Sequence, residues 1–168
     1  MKYPLQTLFE IRERAKKDAE DNYAREKKIL DQEEAKLKEM QEKLEQMRQA
    51  RLSKRDAYFQ EMQEGKLSIK EIQMGRRHLE MLFQMELDYK EKINTQKEVL
   101  EEAKQKTSKA LEVLTHATQE FKVLEKHKEK WTKKKKKERE KREEEAADDL
   151  SQSRYFIHLK ELEDEQSH

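Results

Sequence analysis

The chain has 168 residues, 46% charged against 33% hydrophobic, yet its formal net charge is only +1. Two glycines, one proline and no cysteine leave no material for phosphate-cradling loops, strand turns, disulfides or thiol chemistry. No apolar run approaches the roughly 20 residues that span a bilayer, and near-neutral charge does not make the whole molecule a partner for nucleic acid. Such a composition belongs to disorder or to long solvated helices, and periodicity selects the helices. The expectation is an all-α, cytosolic chain forming one elongated unit with no second domain.

From about residue 5 to 62, Tyr23, Leu30, Leu37 and Leu44 recur every seven positions, and Met40 and Met47 fill the alternate seam position. Leu5, Phe9 and Ala19 fit the same frame, weakened by Arg12 and Lys16. The intervening Glu, Lys, Gln and Arg are good helix formers. A break follows at residues 63 to 68: Gly65 can take the left-handed conformation that ends a helix. Ser68 with Glu71 three residues later is a capping-box pattern that starts the next one.

The second repeat is longer. Alternate steps of three and four from Leu79 reach Trp131 through Leu82, Glu86, Tyr89, Ile93, Gln96, Leu100, Ala103, Thr107, Ala110, Leu114, Ala117, Phe121, Leu124 and Lys128. A sustained apolar heptad with charged flanks is a coiled-coil seam. A short turn between two long helices makes them antiparallel neighbours. Facing a and d positions then have numbers adding to about 133, which pairs Phe9 with Leu124, Ala19 with Leu114, Tyr23 with Ala110, Leu30 with Ala103, Met40 with Ile93 and Leu44 with Tyr89. The expected fold is a long antiparallel two-helix coiled-coil hairpin over residues 1 to 131, left-handed and about 90 Å long at 1.5 Å per residue. Ala103, Ala110 and Ala117, with Ala15, Ala19 and Ala24 opposite, should make the half nearer the termini slim.

Past Trp131 a charged extension is expected over residues 132 to 168, basic from Lys133 to Arg142 and acidic from Glu143 to Asp149. It is supported as a lone helix by weak i,i+4 pairs such as Lys134–Glu138 and Lys136–Glu140. An interruption is expected at Ser151 to Arg154. A poorly ordered tail with a brief apolar cluster, Tyr155, Phe156, Ile157, Leu159 and Leu162, follows.

A two-helix hairpin offers almost no concave site where catalytic groups could converge, so no enzyme, cofactor or metal is expected. Glu112 and His116 are four apart, but without a third ligand they read as a solvated pair. The Lys133 to Lys137 run has no interleaved aromatics to stack bases, and an acidic protein surface suits it better than nucleic acid.

Two clusters stand out as contact surfaces. Tyr58, Phe59, Met62, Leu67, Ile69, Ile72, Met74, Met81, Leu82, Phe83 and Met85 crowd the turn, more than one seam can bury, so part packs and part is offered as an adaptable Met-rich patch. At the open end Tyr3, Leu5, Leu8, Phe9 and Ile11 gather with Trp131, which pairs by number with Lys2.

The opening Met1-Lys2-Tyr3-Pro4-Leu5, then Leu8 and Ile11-Arg12-Glu13, the charged hairpin and the Lys-Glu-rich ending with Trp131 resemble the YscO-like proteins of type III secretion systems, above all their chlamydial form. That family and its flagellar relative FliJ are similar in architecture to the central stalk of rotary ATPases. The resemblance implies a virulence-associated secretion role in the bacterial cytoplasm, at the base of the secretion apparatus. It implies seating in a hexameric type III secretion ATPase through the end bearing both termini, with Tyr3, Arg12, Arg14, Lys16, Lys17, Trp131, Lys133, Lys134 and Lys135 as ATPase-facing residues. It further implies that the turn faces the cytoplasmic domain of the export gate, or secretion chaperones, through Tyr58, Phe59, Met62, Leu67, Ile69, Ile72, Met74, Met81 and Phe83. It transfers no catalytic residue.

Two other readings stay open: a coiled-coil chaperone or adaptor gripping clients through its hydrophobic tip, and a self-associating scaffold pairing the seam between chains. A parallel dimer would set Glu86, Lys128, Lys16 and Arg12 against their own copies. The hairpin places Glu86 opposite Met47 and Lys128 opposite Leu5, so a monomer is expected.

Overall fold

The computed structural model describes residues 2–166, with side-chain surroundings through residue 160. Two helices, α1 (Gln6–Gln63) and α2 (Ile69–Gln166), pack against each other as an all-α antiparallel hairpin, with no strand among the described residues. The connection has the predicted chemistry. Gly65 sits at φ 69°, and its N–H donates to the Met62 carbonyl while Lys66 N–H donates to that of Glu61. This is a Schellman closure, which glycine makes without Cβ strain. Ser68 N–H donates to the Glu71 carboxylate at 2.7 Å, and Glu71 N–H donates back to the Ser68 hydroxyl at 3.3 Å. Two donors that no helix carbonyl could reach are thus satisfied reciprocally.

The chain divides into two compact units, Lys17–Thr115 (the turn unit) and Met1–Lys16 with His116–His168 (the terminal unit). In the turn unit, Leu30, Leu100 and Ala103 form the buried core, with Leu37 against them. Leu30 meeting Ala103, and the Glu26 carbonyl meeting the Thr107 hydroxyl at 3.2 Å, place facing residues at numbers adding to about 133, the register expected from the two heptads. Ile93 and Ala110 are buried, and Tyr23, Met40, Leu44 and Tyr89 are half-buried.

Polar seam positions are satisfied rather than excluded. The buried Gln96 amide donates to the Glu33 carboxylate. Glu86, also buried, accepts from Arg51 Nε at 2.6 Å and Nη2 at 3.2 Å, so its partner is Arg51 and not the Met47 that heptad arithmetic set opposite it. A guanidinium on a long stem reaches one layer along the seam to neutralise a carboxylate that a thioether would leave bare. Among the described residues no buried side-chain polar atom lacks a partner.

In the terminal unit the seam is aromatic. Phe9 lies 5.0 Å from Phe121, centroid to centroid, and Ala117 and Phe121 are buried. Leu5 is exposed, and Lys128 sits with Nζ 4.1 Å over the Phe9 ring rather than opposite Leu5. A cation gains more from a π face than from an aliphatic side chain.

The interruption expected at Ser151 to Arg154 is absent: α2 runs on through this stretch. The Ser151 and Ser153 hydroxyls donate to the carbonyls of Ala147 and Asp149, four residues back. Such back-bonding lets serine sit inside a helix instead of competing with it. The tail expected to be poorly ordered is helical through Gln166, and its last two residues lie outside the described residues.

Candidate functional site

Two surfaces draw the eye, one in each unit. In the terminal unit Tyr3, just ahead of α1, is buried although it precedes regular structure. Its hydroxyl is 2.6 Å from His127 Nδ1, and its ring meets Trp131 edge-on at 5.5 Å. Trp131 therefore packs on Tyr3, not on Lys2, whose side chain is exposed. Beyond this lock, Trp131, Thr132, Lys135, Lys136, Glu138, Arg139 and Arg142 line a cleft of about 430 Å³. It has an indole at one end and guanidinium groups at the other. Lys135 donates to Glu138 at 2.5 Å, which holds the Glu138 carboxyl below the usual carboxylate range.

The predicted basic residues of this unit are distributed unevenly. Arg12 is committed to Glu120 at 2.7 Å, and Lys16 lies with Nζ 5.2 Å from the Phe121 centroid. Arg14 is exposed, and so is Lys17, which falls in the turn unit. Lys133 donates to Glu129 at 2.6 Å, lowering that carboxyl. Lys133 and Lys134 line a second groove with Lys130, Lys137, Glu138 and Lys141, which adjoins through Glu138 the Trp131 cleft that Lys135 joins. His127 and Arg139 were not singled out by sequence; their heptad neighbours Trp131 and Lys135 are the signal that could have found them. The solvated pair expected for His116 is with Glu120, at 3.7 Å from Nδ1, and no group able to hold a metal ion is found among the described residues.

In the turn unit the aromatic and Met-rich crowd splits as the excess of apolar side chains requires. Tyr58, Leu67, Ile72, Leu79 and Leu82 are half-buried, while Phe59, Met62, Ile69, Met74, Met81, Phe83 and Met85 are exposed. Tyr58, Phe59, Met62, Leu67, Ile72 and Leu79 line a cleft of about 290 Å³ rimmed by Arg55, Arg76 and Glu80. Its floor depends on Gly75, a residue that periodicity did not mark. A Cβ there would stand 2.9 Å from Tyr58 Cε1, so the missing side chain is what seats the Tyr58 ring. Phe83, outside the cleft, carries the Arg51 guanidinium 5.1 Å over its ring.

The sequence pattern of the family described as "YscO-like protein" matches residues 1–161. A solved structure described as that of a candidate YscO homolog, CT670 from Chlamydia trachomatis, has a similar fold. The TM-score is 0.72 at 23% identity, covering 95% of this chain and 98% of that one. No curated protein sequence matches the chain.

Proposed function

Because the chain belongs to the YscO-like family, we propose that it works in type III secretion as the central stalk of the hexameric secretion ATPase and links that ATPase to the export gate. The observation that carries this reading is the family match over residues 1–161. The chemistry of the two surfaces agrees with it. The Trp131 cleft, with Lys135, Arg139 and Arg142, combines an aromatic anchor with fixed positive charge, the pairing that dominates protein interfaces. We assign it to the ATPase. The Met- and Phe-bearing turn surface is adaptable and apolar, and we assign it to the cytoplasmic domain of the export gate. ATP hydrolysis belongs to the ATPase in this scheme, and the chain contributes position rather than a reacting group. No helix among the described residues is long and apolar enough to cross a membrane, which accords with a place at the cytoplasmic base of the apparatus.

The test is addition of the purified full chain to its cognate hexameric ATPase. The expected result is a several-fold rise in turnover that Lys135→Glu with Arg139→Glu abolishes. Absence of both binding and stimulation overturns the stalk reading. The exposed Phe59, Met62 and Met74 around the turn favour one second reading, an adaptor that holds secretion chaperones there. Capture of a chaperone but not the gate domain by the same surface would select it.

A further inference from the structure

Starting one residue before the lock at Trp131 and running onward from it, α2 carries a second heptad on a face distinct from its hairpin seam. Steps of four and three from Lys130 give Lys134, Lys137, Lys141, Glu144, Asp148, Ser151 and Tyr155, all exposed. The four lysines line one groove together with the flanking Lys133 and Glu138, so the stepping describes a real face of the helix and not only a count. Its first half is uniformly basic, and its second half is acidic and then aromatic.

This order is self-complementary. Laid antiparallel on a second copy, with facing residues adding to about 285, the face sets Lys141 opposite Glu144, Lys137 opposite Asp148, Lys134 opposite Ser151 and Lys130 opposite Tyr155. The two-fold repeats each layer in reverse, as an isologous interface requires. Lys130 would lie on an aromatic ring that is 63% exposed in the single chain, a cation–π arrangement. A parallel arrangement would stack Lys137 on Lys137 and Asp148 on Asp148.

Pairing within the chain leaves this set largely unused. Lys133, Lys135, Lys136, Arg139 and Lys141 each reach a carboxylate three or four residues away on α2. Among the described residues, no ion pair engages Lys130, Lys137, Glu144 or Asp148. Lys137, Glu144 and Asp148, unpaired within one copy, are among the residues a second copy would meet, and Lys141 would add Glu144 of that copy to its exposed pair with Glu145.

We propose that two copies of this chain associate antiparallel through the Lys130–Tyr155 face of α2, forming a weak, salt-sensitive dimer. The layers are charged and lack an apolar core, so affinity is low and falls as salt screens the pairs. The proposal is independent of the stalk reading. It adds that Lys134, on the same face, is covered in the dimer, so that pairing competes with any partner that Lys134 contacts.

The test uses sedimentation velocity of the full chain over a concentration series, at about 50 mM and about 500 mM salt. Dimer is expected at low salt, with the dissociation constant rising about tenfold or more at high salt. Lys137→Glu with Lys141→Glu should be monomeric, because its layers become carboxylate on carboxylate. Glu144→Lys with Asp148→Lys should be monomeric for the converse reason. Mixed together, the two variants should form a heterodimer, since every charged layer is then opposite in sign. Circular dichroism verifies that both variants remain helical. A monomeric wild type at low salt overturns the proposal, as does a dimer that survives in either variant. Failure of the mixture to associate also overturns it. So does binding of anionic vesicles or an acidic peptide by the face with no self-association.

Discussion

Arg51 and Glu86 form the one bidentate ion pair between the helices of the turn unit, at 2.6 and 3.2 Å, with side chains only 18% and 10% exposed. The contact is charge-assisted, and the pair lies at the edge of the seam rather than in a dry core. Arg51→Ala leaves a buried carboxylate without its counter-charge. A loss of about 1.5–3 kcal/mol is expected from the broken charged hydrogen bonds. Arg51→Leu with Glu86→Leu should recover most of that loss, because removing both charges also removes their desolvation cost. Urea denaturation of Arg51→Leu, Glu86→Leu and the double variant forms the cycle that checks it. Additive losses would show that the two side chains do not act as a pair.

The turn predicts an acid limb to stability. Ser68 N–H, and then its hydroxyl, hold the Glu71 carboxyl below the usual carboxylate range. A depressed native value means that the folded chain favours the ionised form. That contribution is complete above the unfolded-state value of about 4.3 and is lost as pH falls through the native one. Glu129 beside Lys133 and Glu138 beside Lys135 carry the same sign. Thermal midpoints should therefore hold level from about pH 7 to 5 and fall below that. Glu71→Gln retains a box-forming side chain without the titration, so its acid limb should be shallower. An unchanged limb would exclude Glu71 as a contributor.

The seam was legible in the sequence because burial in a two-helix hairpin follows heptad phase alone. Every position from Leu79 to Trp131 on the three-four stepping is buried or half-buried, Glu86, Gln96 and Thr107 included. The turn was legible because Gly65, Ser68 and Glu71 act through their own backbone neighbourhood. Partner choice was not. Arg51 for Glu86, Tyr3 for Trp131 and Phe9 under Lys128 depend on how far a long side chain leans along the helix, which residue counting does not carry. The continuous helix through Ser151 was missed for a related reason: serine favours either a turn or a back-bonded helix, and local sequence alone does not choose. At the candidate surfaces, residue type showed that the turn would be sticky, but the cleft required Gly75 to be placed against Tyr58.

Gly75→Ala separates the shape of that cleft from the stability of its helix. Alanine in place of a helical glycine gains up to about 1 kcal/mol of propensity. The new Cβ meets Tyr58 Cε1 at 2.9 Å, and the half-buried ring must swing outward. Global stability is expected to change by less than about 1 kcal/mol, because the two effects oppose each other. Binding of a gate or chaperone fragment to the turn should weaken. NMR shifts of the Tyr58 ring report its displacement, and an unmoved ring with unchanged binding would disprove the role assigned to Gly75.

Tyr3 and the chain's single tryptophan give the terminal unit its own reporter. Tyr3→Phe removes the 2.6 Å contact with His127 but keeps the ring against Trp131. A loss of about 0.5–1.5 kcal/mol is expected, with little change in emission. Tyr3→Ala removes the buried ring and the aromatic pair as well, together worth about 2–4 kcal/mol. Because Tyr3 lies ahead of α1, this loss should appear as local release of the N-terminal residues before the helices separate. Trp131 emission should shift to the red at temperatures where helical circular dichroism is still at its native value. Under the stalk reading the same variant should weaken ATPase association, since the Trp131 cleft loses the ring that fixes its indole. Coincident fluorescence and dichroism transitions in Tyr3→Ala would show that Tyr3 is part of the global fold rather than a latch on its end.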